Sequence, residues 1–457
     1  MRHLVLFAVL ISTLGVAKPG DWPLFGHDSS RSGIAGDRTL TPKNVAGLQL
    51  RWRVKLDSVA DSAPIVVGDR LFETARNGTT YAVDVADGKI VWRFDTQGPR
   101  ITTSVPAYDP AANMLYVPGV DGNVHKLDPA DGHEVRAGGF PAPITRAPET
   151  EKNASPLNLA NGYVYVQTSG YIGDATPYVG HVIAIRLRDG EERVFNSLCS
   201  SRHTLIDPQS CDAQRSGMWS RAGVVVDPDP AMHGRIYAAT GNAPFDAGAG
   251  NYGDSILALS ADAGRLVGSL TPDNYAQLEA RDLDVGSSSP ALLPRQPDSA
   301  TPLLAVQGGK DSTLRLFDRA HMNGRAPLQG ISLGEELFSA PAIWAGPGGA
   351  TFVVFGLADG VRAYRLTTTD RTSRLTGAWR EDLANAVQGT SPAIAGGVVF
   401  IATTGQLVAM DVETGRRLWS GAIGQIHWES PAIANSAVYC SDENGALTAF
   451  SLPATPN

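Results

Sequence analysis

One phrase returns along almost the whole chain, and its return limits the fold more than any single motif. A Ser-Pro or Ser-x-Pro signal leads into an apolar strand at "SAPIVV", "SVPAYD", "SPLNLA", "SSPALL", "SAPAIW", "SPAIAG" and "SPAIAN". An eighth copy, "SRAGVVVD" at Ser220, lacks the proline but holds the same place between Pro156 and Pro290. With Pro64, Pro106, Pro156, Ala222, Pro290, Pro341, Pro392 and Pro431 as markers, neighbours stand about 40 to 70 residues apart, the length of propeller blades, with two expanded units in the middle. A unit this short cannot bury its apolar face alone and must lean on its neighbours.

After each marker come a second strand, a turn, and a third strand ending in a recurring phrase. The clearest copies are "YAVDVADGKIVW" at 81–92 and "VAMDVETGRRLW" at 408–419; "HKLDPADGHEV" and "AIRLRDGEERV" are worn ones. Strand periodicity explains the start of the phrase, its Asp and Gly build the tight turn, and its Trp covers the seam between blades. Pro431 is followed by only three strands, and "LQLRWRVKL" at 48–56 supplies the missing outer strand, with Trp52 standing as Trp92 and Trp419 do. Closing the ring in this way removes the edges that an open array leaves. The expectation is an all-β chain: one eight-bladed β-propeller of four-stranded antiparallel blades over 48–457, after an N-terminal lead-in at 18–47. Its 457 residues exceed one ordinary core, and 49 glycines and 30 prolines with 18% charged residues suit short strands and tight turns.

The segment "MRHLVLFAVLISTLGVA" has a basic start, an apolar run and small residues before Lys18, which predicts a signal peptide over 1–17. The run is shorter than the ~20 residues of a membrane span, and no later segment reaches that length. The expected location is therefore periplasmic or secreted. Cys199 and Cys211 bracket one polar loop and are expected to form a disulfide in an oxidising compartment, while Cys440 reads as a buried strand residue. A net charge of -8 without a basic block excludes nucleic acid as partner. The absence of a GxSxG elbow or metal-protease motif gives a hydrolase no support.

The phrase AxDxxTGxxxW, intact from Ala409 to Trp419, resembles the docking motif of the pyrroloquinoline quinone (PQQ) repeat propellers. The N-terminal "WPLFGHDSSRSG" and "NVAGLQLRW" also look like the lead-in of that superfamily. The superfamily holds quinoprotein dehydrogenases, which bind PQQ with calcium, and envelope scaffolds that bind neither. The resemblance implies candidate residues on the loops of one face. "ATGNAPFD" places Asn242 where the dehydrogenases carry a calcium-ligating Asn, and "RDLDVGSSSP" places Asp282 as catalytic base with Asp284 near the metal. "GGKDSTLRLFD" is similar to the segment whose Lys reaches the quinone, which is Lys310 here and a neighbour of Asp282. Trp219 in "SGMWSRAG" is a weaker match to the Trp on which the cofactor stacks, and core packing is its alternative.

The chemistry behind this assignment is plain. A hard cation takes several oxygen ligands and polarises a carbonyl, and a nearby carboxylate abstracts an alcohol proton. Arg76, Arg100, Lys152 and Arg221 fall on loops expected to open toward the same face, which in an acidic chain favours an anionic ligand. His427 and Glu429 lead into the last blade, to bind a cation or cap the loop. Two departures stand out: "TSGYIGDATPYVG" offers only Asp174 where the dehydrogenases place a calcium-ligating Glu, and the adjacent cysteine pair is missing. With no CxxCH haem motif, an electron acceptor would be a separate protein. The sequence thus leaves two functions open. One is an exported PQQ- and Ca2+-dependent oxidoreductase acting on an alcohol or sugar. The other is a non-catalytic scaffold or ligand-binding propeller of the cell envelope with a protein partner.

Overall fold

The computed structural model describes residue 18 and residues 20–453, except 173, 325 and 387–388; the expected signal peptide lies outside the described residues. Among the described residues eight antiparallel blade sheets follow one another around a ring, and in all but the last the strands run outward from the channel in chain order. Each marker is followed by a short inner strand, from Ile65–Val67 in blade one to Ala432–Ala434 in blade eight. Ala222 is no exception, since it precedes Val225–Val226 of blade four. Blade five consists of Ala291–Leu292, Leu304–Gln307, Thr313–Asp318 and Gln329–Ser332. Lys310 therefore lies on the turn between its second and third strands, as the sequence implied.

The ring closes as expected. Gln49–Lys55 pairs antiparallel with Ala446–Ser451 and completes blade eight. The tryptophans of the recurring phrase serve the seams. The Trp52, Trp92 and Trp379 indoles donate to the backbone carbonyls of Val85, Pro129 and Val412 in the next blade, at 2.9, 3.1 and 2.8 Å. Each lies flat on the glycine of the neighbouring Asp-Gly or Thr-Gly turn. A Cβ at Gly88, Gly132 or Gly415 would stand 2.6–2.8 Å from the ring, and all three glycines hold a positive φ. The turn residue and the Trp are thus two halves of one contact. Trp379 stands outside the clear copies of the phrase but makes the same contact.

The marker serines stitch the blades at the channel. Ser104 and Ser288 hydroxyls donate to the carbonyls of Ser155 and Ser339 in the next blades, at 2.6 and 2.8 Å. Ser289, Ser391 and Ser430 accept backbone N–H groups of the preceding blades at 2.9–3.0 Å. Further along the channel the N-terminal segment pairs with the inner strands. Tyr108, Val226, Ile343 and Ile394 donate to the carbonyls of Pro23, Ser29, Ser32 and Gly33. Buried Arg31 donates to Phe25 and Leu157 carbonyls. This segment plugs one end of the channel and leaves the other end open.

The two expanded units hold the additions. The first carries the expected Cys199–Cys211 disulfide in the loop after blade three. The second carries a hairpin, Phe245–Asp246 with Asn251–Tyr252, and the short helix Tyr275–Ala280. Cys440 is buried on a strand of blade eight, as expected.

Candidate functional site

At the open end a cavity of about 530 Å3 is walled by Trp219, Phe338, Trp428, Tyr171 and Tyr178, with Lys152, Arg221, Asp174, Asp282, Asp284 and Lys310 among its polar residues. Trp219 and Phe338 each directly precede a marker serine, and Trp428 precedes one by two. The repeat therefore presents them to the channel. Their rings pack on one another with centroids 5.7–6.1 Å apart.

Lys310 is held where the two carboxylates meet. Its Nζ lies 2.5 Å from Asp284 and 3.2 Å from Asp282, and 5.3 Å above the Trp219 ring. Two glycines let the loops come this close. A Cβ at Gly309 would stand 2.6 Å from the Asp284 carbonyl, and one at Gly241 would stand 2.3 Å from its side chain. The Lys310 backbone N–H donates to the Asp284 carbonyl at 2.9 Å, which fixes the turn. Asn242 bridges both acids, its backbone N–H donating to Asp284 at 2.7 Å and its amide to Asp282 at 2.8 Å.

The two acids differ in setting. Asp284 is 7% exposed and Asp282 70% exposed. Burial raises the Asp284 pKa, against the pull of the Lys310 ammonium. Burial opposes the charge on Lys310, but Asp284 and Asp282 together outweigh it and the ammonium is held above its ordinary pKa. The pair is a lysine-neutralised carboxylate, with Asp282 open to solvent beside it.

Opposite stand further cations. Burial lowers Lys152 to about 8, and its ammonium lies 5.9 Å over the Tyr171 ring. Burial lowers Arg221 to about 10, with Asp61, Glu429 and Glu73 acting against it. Its guanidinium sits between the Phe25 and Trp428 rings and donates to the Trp428 carbonyl. Arg100 stacks on Tyr171 at 4.9 Å from outside the cavity wall. Asp174 accepts the Tyr178 hydroxyl at 2.7 Å. Arg76 turns away to Asp61.

The structure therefore brings Lys310, Asp282, Asp284, Asn242 and Trp219 together, and places Arg221 and Asp174 in the same cavity. The aromatic walls and the cations Lys152, Arg221 and Lys310 fit a planar anionic ligand. The donor set for calcium does not fit as it stands. Asp284 is occupied by Lys310 and Asn242, Asp174 by Tyr178, and the Asn242 amide oxygen alone is buried without a partner. A calcium ion takes six to eight oxygens. Reading single motifs missed Phe338, Trp428 and the two tyrosines. The signal for Phe338 was positional, the residue before the marker serine.

Fold and site together define an eight-bladed propeller whose channel, plugged at one end, opens at the other into a charged, aromatic-walled cavity. The family described as outer membrane protein assembly factor BamB matches residues 35–210 and 365–454, and the chain belongs to this family of PQQ-like repeat propellers. Among similar proteins, the 1-butanol dehydrogenase (cytochrome c) of Thauera butanivorans is 27% identical over 36% of this chain and 26% of its own. A polyvinylalcohol dehydrogenase of a Pseudomonas species is 23% identical over 58% of this chain and 43% of its own. The chain thus spans well under half the length of these relatives. The structure of quinohemoprotein alcohol dehydrogenase ADHIIG from Pseudomonas putida superposes with a TM-score of 0.71 at 16% identity, covering 96% of this chain and 81% of that one. BamB from Moraxella catarrhalis superposes at 0.57 and 12%, covering 88% and 99%. Among the described residues no helix is long and apolar enough to cross a membrane.

Proposed function

We propose that the cavity binds a planar, polyanionic quinone cofactor of the PQQ class and that the chain is an exported, periplasmic or secreted oxidoreductase acting on an alcohol or sugar. The observation that carries this reading is the Lys310 ammonium, held over the Trp219 ring between Asp282 and Asp284. Such a cofactor, when bound, supplies the two-electron acceptor for alcohol oxidation. Trp219 offers the ring on which it stacks, and Lys310, Lys152 and Arg221 offer donors to its oxygens. Asp282, at the solvent side, accepts the substrate hydroxyl proton. Lys310 also provides the fixed positive charge beside Asp284, so no step is assigned to a calcium ion. Electrons would pass to a separate acceptor protein.

The test is titration of the purified chain with PQQ, with and without Ca2+, followed by dye-linked alcohol oxidation. Micromolar binding that EDTA does not abolish is expected, with turnover lost in Asp282→Asn and binding kept. No binding at micromolar cofactor would remove this reading. It would favour a non-catalytic binding propeller of the envelope, which the match to the BamB family supports.

A further inference from the structure

The seam where the ring closes carries a second polar centre, apart from the residues that Lys310 organises. Asp61 lies on the loop into blade one, His427 on the loop into blade eight, and Glu443 on the turn between the second and third strands of blade eight. One ligand atom from each lies within 4.8 Å of the other two. These residues join the first and last blades, which are far apart in the chain.

Several oxygens here lack partners. Asp61 is 1% exposed, yet its Oδ1 accepts no hydrogen bond, and His427 Nδ1 stands 3.4 Å away. Glu443 Oε1 is buried and unbonded, 3.8 Å from Arg76. Beside them Glu429, wholly buried, takes the His427 and Trp428 N–H groups on Oε2 and leaves Oε1 without a partner. Arg76 binds the Oδ2 side of Asp61 and leaves Oδ1 facing the imidazole. Buried carboxylate oxygens left unmatched are costly, and a cation on that side would match them.

We infer that Asp61, His427 and Glu443 bind a divalent first-row transition-metal ion of the zinc class, which clamps blade one to blade eight. An imidazole nitrogen with two carboxylates suits such an ion and leaves a position for water, whereas calcium takes oxygens alone. Arg76 stays on Asp61 Oδ2 and offsets part of the acidic charge. Because the ligands come from both ends of the ring, an ion held only by the folded chain raises its stability. It also fixes the segment that carries Trp428, a wall of the cavity.

The test uses the full chain stripped with EDTA and returned to chelator-free buffer. It is titrated with Zn2+ by calorimetry and with Co2+ by visible absorption. Expected are one ion per chain at micromolar concentration or below, a higher Tm, and no competition from millimolar Ca2+. His427→Ala and Glu443→Gln each weaken binding by roughly 100-fold or more, since a lost ligand exceeds the 10- to 100-fold cost of a lost supporting contact. His133→Ala, which dismantles the exposed Asp128–Asp131–His133 turn, leaves it unchanged. Three results overturn the assignment: no Zn2+ binding at micromolar ion, binding undiminished in both seam variants, or displacement by Ca2+.

Discussion

Lys310→Met removes the ammonium and keeps the reach of the side chain. In the wild type Nζ stands 2.5 Å from Asp284, which is 7% exposed, and 3.2 Å from the open Asp282. Stripping one partner from a dry ion pair costs ~3–5 kcal/mol. The cavity mouth is open to water and Asp282 is solvated, so screening brings the loss to about 1–3 kcal/mol. Part of it is relieved as Asp284, whose pKa burial already raises, takes up a proton. Asp284→Asn in the same chain removes the other partner, and most of the lost thermal stability should return.

Ligand affinity should behave differently. A charge-assisted hydrogen bond is worth about 1.5–3 kcal/mol, or roughly 10- to 150-fold in Kd for an anionic quinone. That loss has no reason to recover in the double variant. Calorimetric Kd and scanning Tm on wild type, Lys310→Met, Asp284→Asn and the double variant complete the cycle. Wild-type stability and wild-type PQQ affinity in Lys310→Met would refute both parts of the reasoning. Recovery of affinity together with stability would show that Lys310 acts on Asp284 alone.

Glu73 is wholly buried, and burial lifts its pKa to about 8 against a Ser62 hydrogen bond and the Arg221 charge. Its neutral form therefore contributes stability that is complete below the unfolded pKa near 4.5 and is lost as pH rises toward 8, at up to about 1.4 kcal/mol per pH unit. The Tm of Glu73→Gln relative to wild type should rise from pH 5 to pH 8 and level off; a flat difference would show that Glu73 stays charged. Trp379→Ala removes an inter-blade contact on Gly415 and should cost about 2–4 kcal/mol in chemical unfolding, below the range for fully buried Trp. Gly415→Ala should hurt comparably, because its Cβ would stand 2.6 Å from that ring at a φ of +74°; a neutral Gly415→Ala would separate turn from contact. Reducing Cys199–Cys211, separated by 12 residues, should lower stability by about 3 kcal/mol. The same loop reaches the site through the Ser216 N–H bond to the Asn242 carbonyl, so reduction should weaken quinone binding as well as lower Tm.

The ring was legible because its signals are local and repeated. The Ser-Pro markers set where each inner strand starts, and the Asp-Gly turns with their tryptophans set how blades meet; both depend on residues a few positions apart. The additions in the two long units were legible only as extra length. Their hairpin and helix answer to packing against neighbouring loops, such as Phe245 on Tyr275 with ring centroids 5.2 Å apart, and not to the repeat. Lys310 and Asp282 could be paired from sequence because the Asp282 loop leads into the blade whose turn carries Lys310. The occupation of Asp284 by that same lysine could not, since it depends on how closely Gly241 and Gly309 let three loops approach.

The position three residues before each marker proline, or before Ala222, shows why the rest of the site was hidden. Around the ring it is filled by Asp61, Thr103, Asn153, Trp219, Ser287, Phe338, Gly389 and Trp428. The repeat makes these places equivalent, and four of them line the cavity: Thr103, Trp219, Phe338 and Trp428. Trp219 apart, none of them belongs to a motif, because their meaning lies in which blades adjoin. Trp219 and Phe338 are more than 100 residues apart, yet their ring centroids are 5.7 Å apart across the channel. Asp61 and Trp428 come from opposite ends of the chain, and Asp61 reaches His427, the neighbour of Trp428, because Gln49–Lys55 closes the ring. A propeller thus repeats its scaffold and varies its channel, so a reading that aligns the eight repeats and compares one column around the ring recovers chemistry that a reading along the chain does not.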